Sequence, residues 1–314
     1  MGTVWLNDEV LDSQERIGYR LRELYQEHGF IRYQMSKFEE YDLYSRNRDF
    51  LLSENVITFT NPDGRLMALK PDVTLSIVKN MKDLPQGVRK LYYHEHVYRV
   101  TEAEEGFREQ AQVGLECMGR IDGDCVVEVL RLAQESLALC SGKYVLEISH
   151  LGILRELTEA AAGGNALLRD ALLHCVSEKN AHHLSELCRE AGVAAEQEER
   201  LVRLIQLYGA PEKVLPGLRA LSASAETGRM IDELAGAVAG ADAGHLLIDF
   251  SATEDLKYYN GIAMKGFIEG IPGSVLSGGR YDGLMRRMGR KDHAIGFAVF
   301  LNRLERLQGG DGHA

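Results

Sequence analysis

Two runs of alternating character constrain this chain most. Residues 91–100 read LYYHEHVYRV and residues 110–117 read QAQVGLEC. Successive side chains of a strand point to opposite faces. The first run therefore puts Tyr93, Glu95, Val97 and Arg99 on one face. The second puts Gln110, Gln112, Gly114 and Glu116 on one face, and Ala111, Val113, Leu115 and Cys117 on the other. Paired as an antiparallel hairpin, the runs make a sheet with one apolar side and one polar side, and Arg99 comes near Gln112 or Glu116. On alternation alone, that polar side is either the ordinary solvated face of an antiparallel sheet or the lining of a polar pocket.

The flanking sequence alternates between strand and helix signals. Residues 8–28 carry Ile17, Leu21, Leu24 and Tyr25 at helical spacing, and Gly29 stands where a helix stops. Residues 56–60 and 66–69 read as strands about the Asn61-Pro62-Asp63-Gly64 turn. Asp72 to Thr74 can cap a helix running to Met81. An apolar-striped helix is predicted over 125–140, and a strand over 144–148. From 151 to 240 Ala and Leu become dense and β-branched residues thin out, the pattern of several short helices. Strands resume at 245–250, 258–267, 273–276 and 294–300, and a helix closes the chain at 301–307. The expected fold is α+β, a mostly antiparallel sheet flanked by helices. Residues 1–150 and 241–314 form a discontinuous core domain, and 151–240 is a mainly helical insertion.

Composition narrows the function. A formal charge of −11 over 314 residues argues against a broad phosphate-binding surface. Five cysteines, none in a C-x-x-C pair, suit a reducing cytoplasm. The N-terminal residues lack the pattern of a signal peptide, and no apolar run reaches membrane-spanning length, so the expected location is cytoplasmic with no membrane partner. His94 and His96 share a face without a third ligand at a suitable spacing, and His182-His183 reads as a surface pair, so no metal is expected. No phosphate-binding loop or dinucleotide fingerprint occurs.

Five blocks carry a family resemblance. Ala68-Leu-Lys-Pro-Asp-Val-Thr74 resembles the "L-R-P-E-x-T" block of histidyl-tRNA synthetases. Tyr98-Arg99 with Phe107-Arg108 and Gln112-Val-Gly-Leu-Glu116 resembles motif 2 of the class II enzymes. Leu256-Lys-Tyr258-Tyr259-Asn260 resembles "R-G-L-D-Y-Y", and Ser277 to Leu284 is a near-intact "G-G-R-Y-D-G-L". Ala294-Ile-Gly-Phe297 with Leu301-Asn-Arg303-Leu304 resembles motif 3. The blocks are collinear with the family, and together they are far more specific than any one alone. The resemblance implies a class II aminoacyl-tRNA synthetase-like fold and a pocket for L-histidine. Carried over by position, Asp72, Thr74 and Gln112 hold the α-amino group, and Glu116 and Tyr259 face the imidazole. Tyr258 and Tyr281 wall the pocket, Arg99 lies near a carboxylate or phosphate, and Arg108 and Arg303 mark a residual nucleotide site.

The departures bear on activity. Glu254 stands where the family's "R-G-L-D-Y-Y" arginine stabilises charge during adenylate formation, and a carboxylate there opposes that step. The motif 2 loop carries Glu102, Glu104 and Glu105, repulsive to triphosphate and tRNA. Ser36 replaces the motif 1 proline, and an anticodon-binding domain is not expected after the last block. This pattern resembles the regulatory paralogues of the family, which partner the short catalytic subunit of ATP phosphoribosyltransferase. The resemblance implies a non-catalytic subunit without cofactors or nucleic-acid partner, with histidine as effector, forming a homodimer within a hetero-oligomer. The alternatives are a histidyl-adenylate-forming ligase acting on a non-tRNA acceptor, and a scaffold with a dead pocket.

Overall fold

The computed structural model describes residues 11–51, 56–84, 86–101 and 106–308. In chain order, α1 (Ser13–Glu27) leads to β1 (Ile31–Arg32), β2 (Phe38–Glu40), α2 (Tyr41–Ser45), β3 (Thr58–Thr60), β4 (Leu66–Leu69) and α3 (Thr74–Asn80). The central hairpin β5 (Val88–Thr101) and β6 (Gly106–Gly119) is followed by α4 (Gly123–Cys140) and β7 (Tyr144–His150). Six helices come next: α5 (Leu151–Ala162), α6 (Ala166–Ser177), α7 (Ala181–Glu190), α8 (Ala195–Gln206), α9 (Pro211–Arg219) and α10 (Ala225–Ala239). The chain then adds β8 (Leu246–Ile248), β9 (Ile262–Ile268), β10 (Leu276–Arg280), α11 (Asp282–Arg287) and β11 (His293–Phe300). A 3₁₀ helix, Leu301–Gln308, follows.

Eight strands form one sheet in the order β1-β5-β6-β11-β10-β9-β7-β8, and β2-β4-β3 form a small second sheet. Only the outermost pairs of the large sheet, β1 with β5 and β7 with β8, run parallel. The α+β, mostly antiparallel architecture expected from the sequence is the one observed. The β5–β6 pair is a direct hairpin, whereas the parallel β7–β8 pair is joined by the long α5–α10 connection.

Local chemistry accounts for the element boundaries. Asp12 and Glu15 close a reciprocal capping box at the start of α1, and Gly29 follows its end with a left-handed φ of 79°. Asp122 caps α4 by accepting from the Cys125 amide, and Tyr25 of α1 meets Ser136 of α4 at 2.9 Å. One buried apolar cluster runs from α1 and α4 through the sheet into helices α5–α10. A second lies around α3 and α11 and includes Tyr44, Leu75, Tyr93, Tyr258 and Tyr281.

Three expected boundaries are corrected. The segment 258–267 was expected as strand, but β9 begins only at Ile262. Tyr258 instead ends a 3₁₀ helix, Thr253–Lys257, because residues 253–257 turn back before the chain joins the sheet. The strand expected to end at Leu276 starts there, so Gly278 and Gly279 lie within β10 rather than after it. The closing segment is 3₁₀ rather than α. Glu102, Glu104 and Glu105, and the first residues of the expected 8–28 helix, lie outside the described residues. No helix among the described residues is long and apolar enough to cross a membrane.

Candidate functional site

The polar side of the β5–β6 hairpin is covered, not solvated. Gln112 and Glu116 are 4% and 2% exposed, because α3 and the Tyr258–Tyr259 turn close over them. The resulting cleft occupies about 480 Å³ including its open mouth. It brings together Asp72, Thr74, Arg99, Gln112, Glu116, Tyr258, Tyr259 and Tyr281, all eight residues expected in the ligand pocket.

Register explains the convergence. Arg99 sits directly opposite Arg108, and Gln112 opposite Glu95, so Arg99 and Gln112 are not cross-strand partners. They share the same side of the sheet, and both line the cleft. Exposed Arg108 is not among the cleft residues. Arg303 is also outside it. Its guanidinium lies 5.1 Å from the ring centroid of Phe300, a wall residue, and donates to the Ser274 carbonyl.

Glu116 forms the floor. Thr74 Oγ1 donates to its Oε1 at 2.7 Å, and the Tyr281 hydroxyl donates to its Oε2 at 2.6 Å. Burial pushes the Glu116 pKa up to about 8, and the neighbouring Asp72 carboxylate adds to the rise, although both donors pull it down. Desolvation of the charged form wins there over two hydrogen bonds to it. Burial also raises Asp72, against the Leu75 amide and the Arg99 charge. The Leu75 N–H donates to Asp72 Oδ1 at 2.8 Å, which ties the carboxylate to the start of α3. Burial lowers the Arg99 pKa while Asp72 supports its charge, and its Nε donates to the Pro71 carbonyl at 3.3 Å. Tyr258 is also buried, and its ring meets Tyr281 and Tyr259 edge-on at centroid distances of 6.0 Å and 4.9 Å.

Glycines make room for these flat-lying side chains. A Cβ at Gly296 would overlap the Glu116 carboxylate and the Leu115 carbonyl, and one at Gly114 would overlap the Tyr93 hydroxyl. Gly279, at φ 158°, is close to extended and is needed for space, since a Cβ would come within 2.9 Å of the Tyr259 ring. Tyr93, Ser277, Phe297 and Phe300 also line the cleft and were not expected there. Alternation had already put Tyr93 on the face of Arg99, so that signal was present in the sequence. The motif 3 phenylalanines gave no such signal.

Glu254 behaves differently from the sequence-level expectation. It is not among the cleft residues, its side chain is 80% exposed, and its carboxylate is 2.9 Å from Lys265 Nζ. Lys265 also meets Asp255 at 3.1 Å. Its repulsion toward an anion is therefore partly answered by a neighbouring cation. No group of three or more potential metal ligands clusters among the described residues. Chemically, the cleft offers acidic groups, one cation and aromatic walls in a small volume. That combination suits a compact zwitterion with a planar ring.

The comparisons with known proteins give the family and the fold. The family model for histidyl-tRNA synthetase matches residues 6–304. A protein of Oceanobacillus iheyensis described as an ATP phosphoribosyltransferase regulatory subunit is 26% identical over 88% of this chain and 69% of its own length. The crystal structure of an ATP phosphoribosyltransferase regulatory subunit/histidyl-tRNA synthetase from Bacillus halodurans superposes with a TM-score of 0.82. It has 21% identity and covers 98% of this chain and 82% of that one. A subunit of an ATP phosphoribosyltransferase complex from Thermotoga maritima has the same fold, with a TM-score of 0.71, 18% identity, and 92% and 97% coverage. The chain belongs to the histidyl-tRNA synthetase family.

Proposed function

We propose that this member of the family is a non-catalytic regulatory subunit of ATP phosphoribosyltransferase, the first step of histidine biosynthesis. It activates a short catalytic subunit and mediates feedback inhibition by L-histidine in the cytoplasm. Relatives carrying that description support the role. The observation that carries the ligand assignment is the seat of Glu116, buried between Thr74 and Tyr281 on the floor of the cleft.

In this reading, Asp72, Thr74 and Gln112 take the α-amino group. Glu116 and Tyr259 meet the imidazole, and Arg99 takes the carboxylate, with Tyr258 and Tyr281 as walls. Arg108 and Arg303 stay outside as a residual nucleotide-facing pair. Residues 1–150 with 241–314 act as the core, and 151–240 as an insertion. Feedback requires that histidine bind the active and inactive complexes unequally, and a coupling of about 1–3 kcal/mol is enough.

The test is to mix the purified chain with a short-form catalytic subunit and assay phosphoribosyl transfer with and without histidine. Co-purification, activation and histidine inhibition that is lost in Gln112→Ala are expected. A catalytic subunit indifferent to this chain would sink the reading. Histidine-dependent ATP–pyrophosphate exchange by the chain alone would instead favour a histidyl-adenylate-forming ligase.

A further inference from the structure

The histidine cleft is closed by two segments that the helical insertion grips directly. Arg280, the last residue of β10, precedes the cleft tyrosine Tyr281. Its Nη1 donates to Glu233 of α10 at 3.1 Å, and its Nε donates to Asp282 at 2.8 Å. Glu233 in turn pairs with buried His150 at 3.2 Å. The Arg280 carbonyl accepts from the Asn260 amide at 2.9 Å, and its side chain packs over Gly261. One residue thus fixes both the Tyr258–Tyr259 turn and the Tyr281 position.

A second set of contacts points the same way. Arg155 of α5 donates to the Leu256 carbonyl at 3.2 Å, within the 3₁₀ helix just before the tyrosine pair. Lys179, between α6 and α7, meets Asp249 at 2.7 Å, at the root of the loop that carries them. The insertion therefore holds the cleft's aromatic walls from behind, at three points, through charged groups.

We propose that Glu233 and Arg280 are positioning residues for the ligand cleft, and that through them the helical insertion registers whether the cleft is occupied. A ligand that engages Glu116 alters the Tyr281 hydroxyl bond. Tyr281 is bonded in the chain to Arg280, and Arg280 is held by α10. A shift at the floor is thereby delivered to the insertion, where a bound catalytic subunit can read it. The inference rests on the histidine reading for its ligand, but the coupling itself belongs to the fold.

Hydrogen exchange of residues 225–239 in the full-length chain tests it. Saturating L-histidine is expected to slow exchange in α10 of the wild type. Glu233→Gln keeps the side-chain shape and removes its charge. It is expected to abolish that slowing and to weaken histidine binding about tenfold by calorimetry, within the usual range of coupling. Asp232→Asn removes a neighbouring ion pair to Arg219 within the insertion, so it controls for simple loosening of the helix. It should leave the histidine effect intact.

Unchanged α10 exchange when histidine binds, or equal loss in Asp232→Asn, overturns the proposal. A ligand-free arm separates this from the histidine reading. Tyr281→Phe alone should speed exchange in α10, and an α10 indifferent to it overturns the coupling even if histidine never binds. A wild type that does not bind histidine defeats the ligand assignment, and the Tyr281→Phe result still decides the coupling.

Discussion

Tyr281 and Glu116 are 165 positions apart in the chain, yet the phenol donates to the carboxyl at 2.6 Å. This contact joins motif 2 to the Gly-Gly-Arg-Tyr-Asp-Gly block and fixes the depth of the cleft. Burial holds the Glu116 pKa near 8, which favours the protonated form of the floor at neutral pH. A ligand bringing a cationic nitrogen would favour the ionised form, so occupancy and charge on this residue are linked.

That linkage gives a pH signature. An unfolded glutamate titrates near 4.5 and Glu116 in the fold near 8. Folding therefore takes up a proton between these values. Its stabilising share is complete below pH 4.5 and is lost as pH rises toward 8. Glu116→Gln cannot titrate, so the melting temperature of the variant relative to wild type should climb across this window. Asp72 is raised in the same direction and is present in both proteins, so the difference reports Glu116 together with its interaction with Asp72. Parallel melting curves from pH 4.5 to 8 would contradict the burial argument.

Gly296→Ala tests the space beneath Glu116. The added methyl meets the carboxylate and the Leu115 main chain, and the main chain cannot swing aside. A loss of about 1–3 kcal/mol is expected from overpacking, together with a large fall in histidine affinity. Gly123→Ala is the matched control, because a Cβ there meets nothing. Denaturant unfolding and calorimetry on both variants read the difference, and equal effects would remove the proposed role of Gly296.

Much of the site was legible because alternation and block order are local properties. Gln112 and Glu116 fall on one face by parity alone, and Arg99 joins them through the hairpin register. What parity could not decide was whether that face met water. The answer depended on α3 and on the Tyr258–Tyr259 turn folding over it, which is tertiary. The same limit explains the missed strand start at Ile262. Tyr258 and Tyr259 have high strand propensity, but packing against Tyr281 and Phe50 holds Tyr258 in a turn. Glu254 illustrates the converse, since its sign was readable but its pairing with Lys265 was not.

Lys70 is the one residue of the Ala68–Thr74 block whose ammonium is wholly buried, and it meets Glu95 at 2.6 Å. The Lys70 carbonyl also accepts from the Tyr98 amide, so the pair fastens the Asp72 segment to β5. Lys70→Met should cost about 3–5 kcal/mol by stranding Glu95, whereas Lys70→Met with Glu95→Leu should recover most of it. A single variant as stable as the double one would show that the carboxylate finds water instead.

Glu254 and Asp255 share Lys265 but stand in different surroundings, and the difference sets their weight. Glu254 is 80% exposed, whereas the Asp255 side chain is only 11% exposed. Burial works against the Lys265 charge, yet Asp255 and then Glu254 hold its pKa above the ordinary value. Removing the exposed partner leaves the buried one in place, so Glu254→Ala should change stability by less than about 1 kcal/mol. Asp255→Ala leaves Lys265 with only a screened partner and should cost about 1.5–3 kcal/mol. Histidine affinity should change little in either variant, because the Tyr258 and Tyr259 amides donate to the Asp255 main-chain carbonyl, which alanine keeps. Urea unfolding and histidine titration of the two variants decide it. If Glu254→Ala proved the more damaging change, the exposed carboxylate would have a role at the cleft that its pairing with Lys265 does not account for.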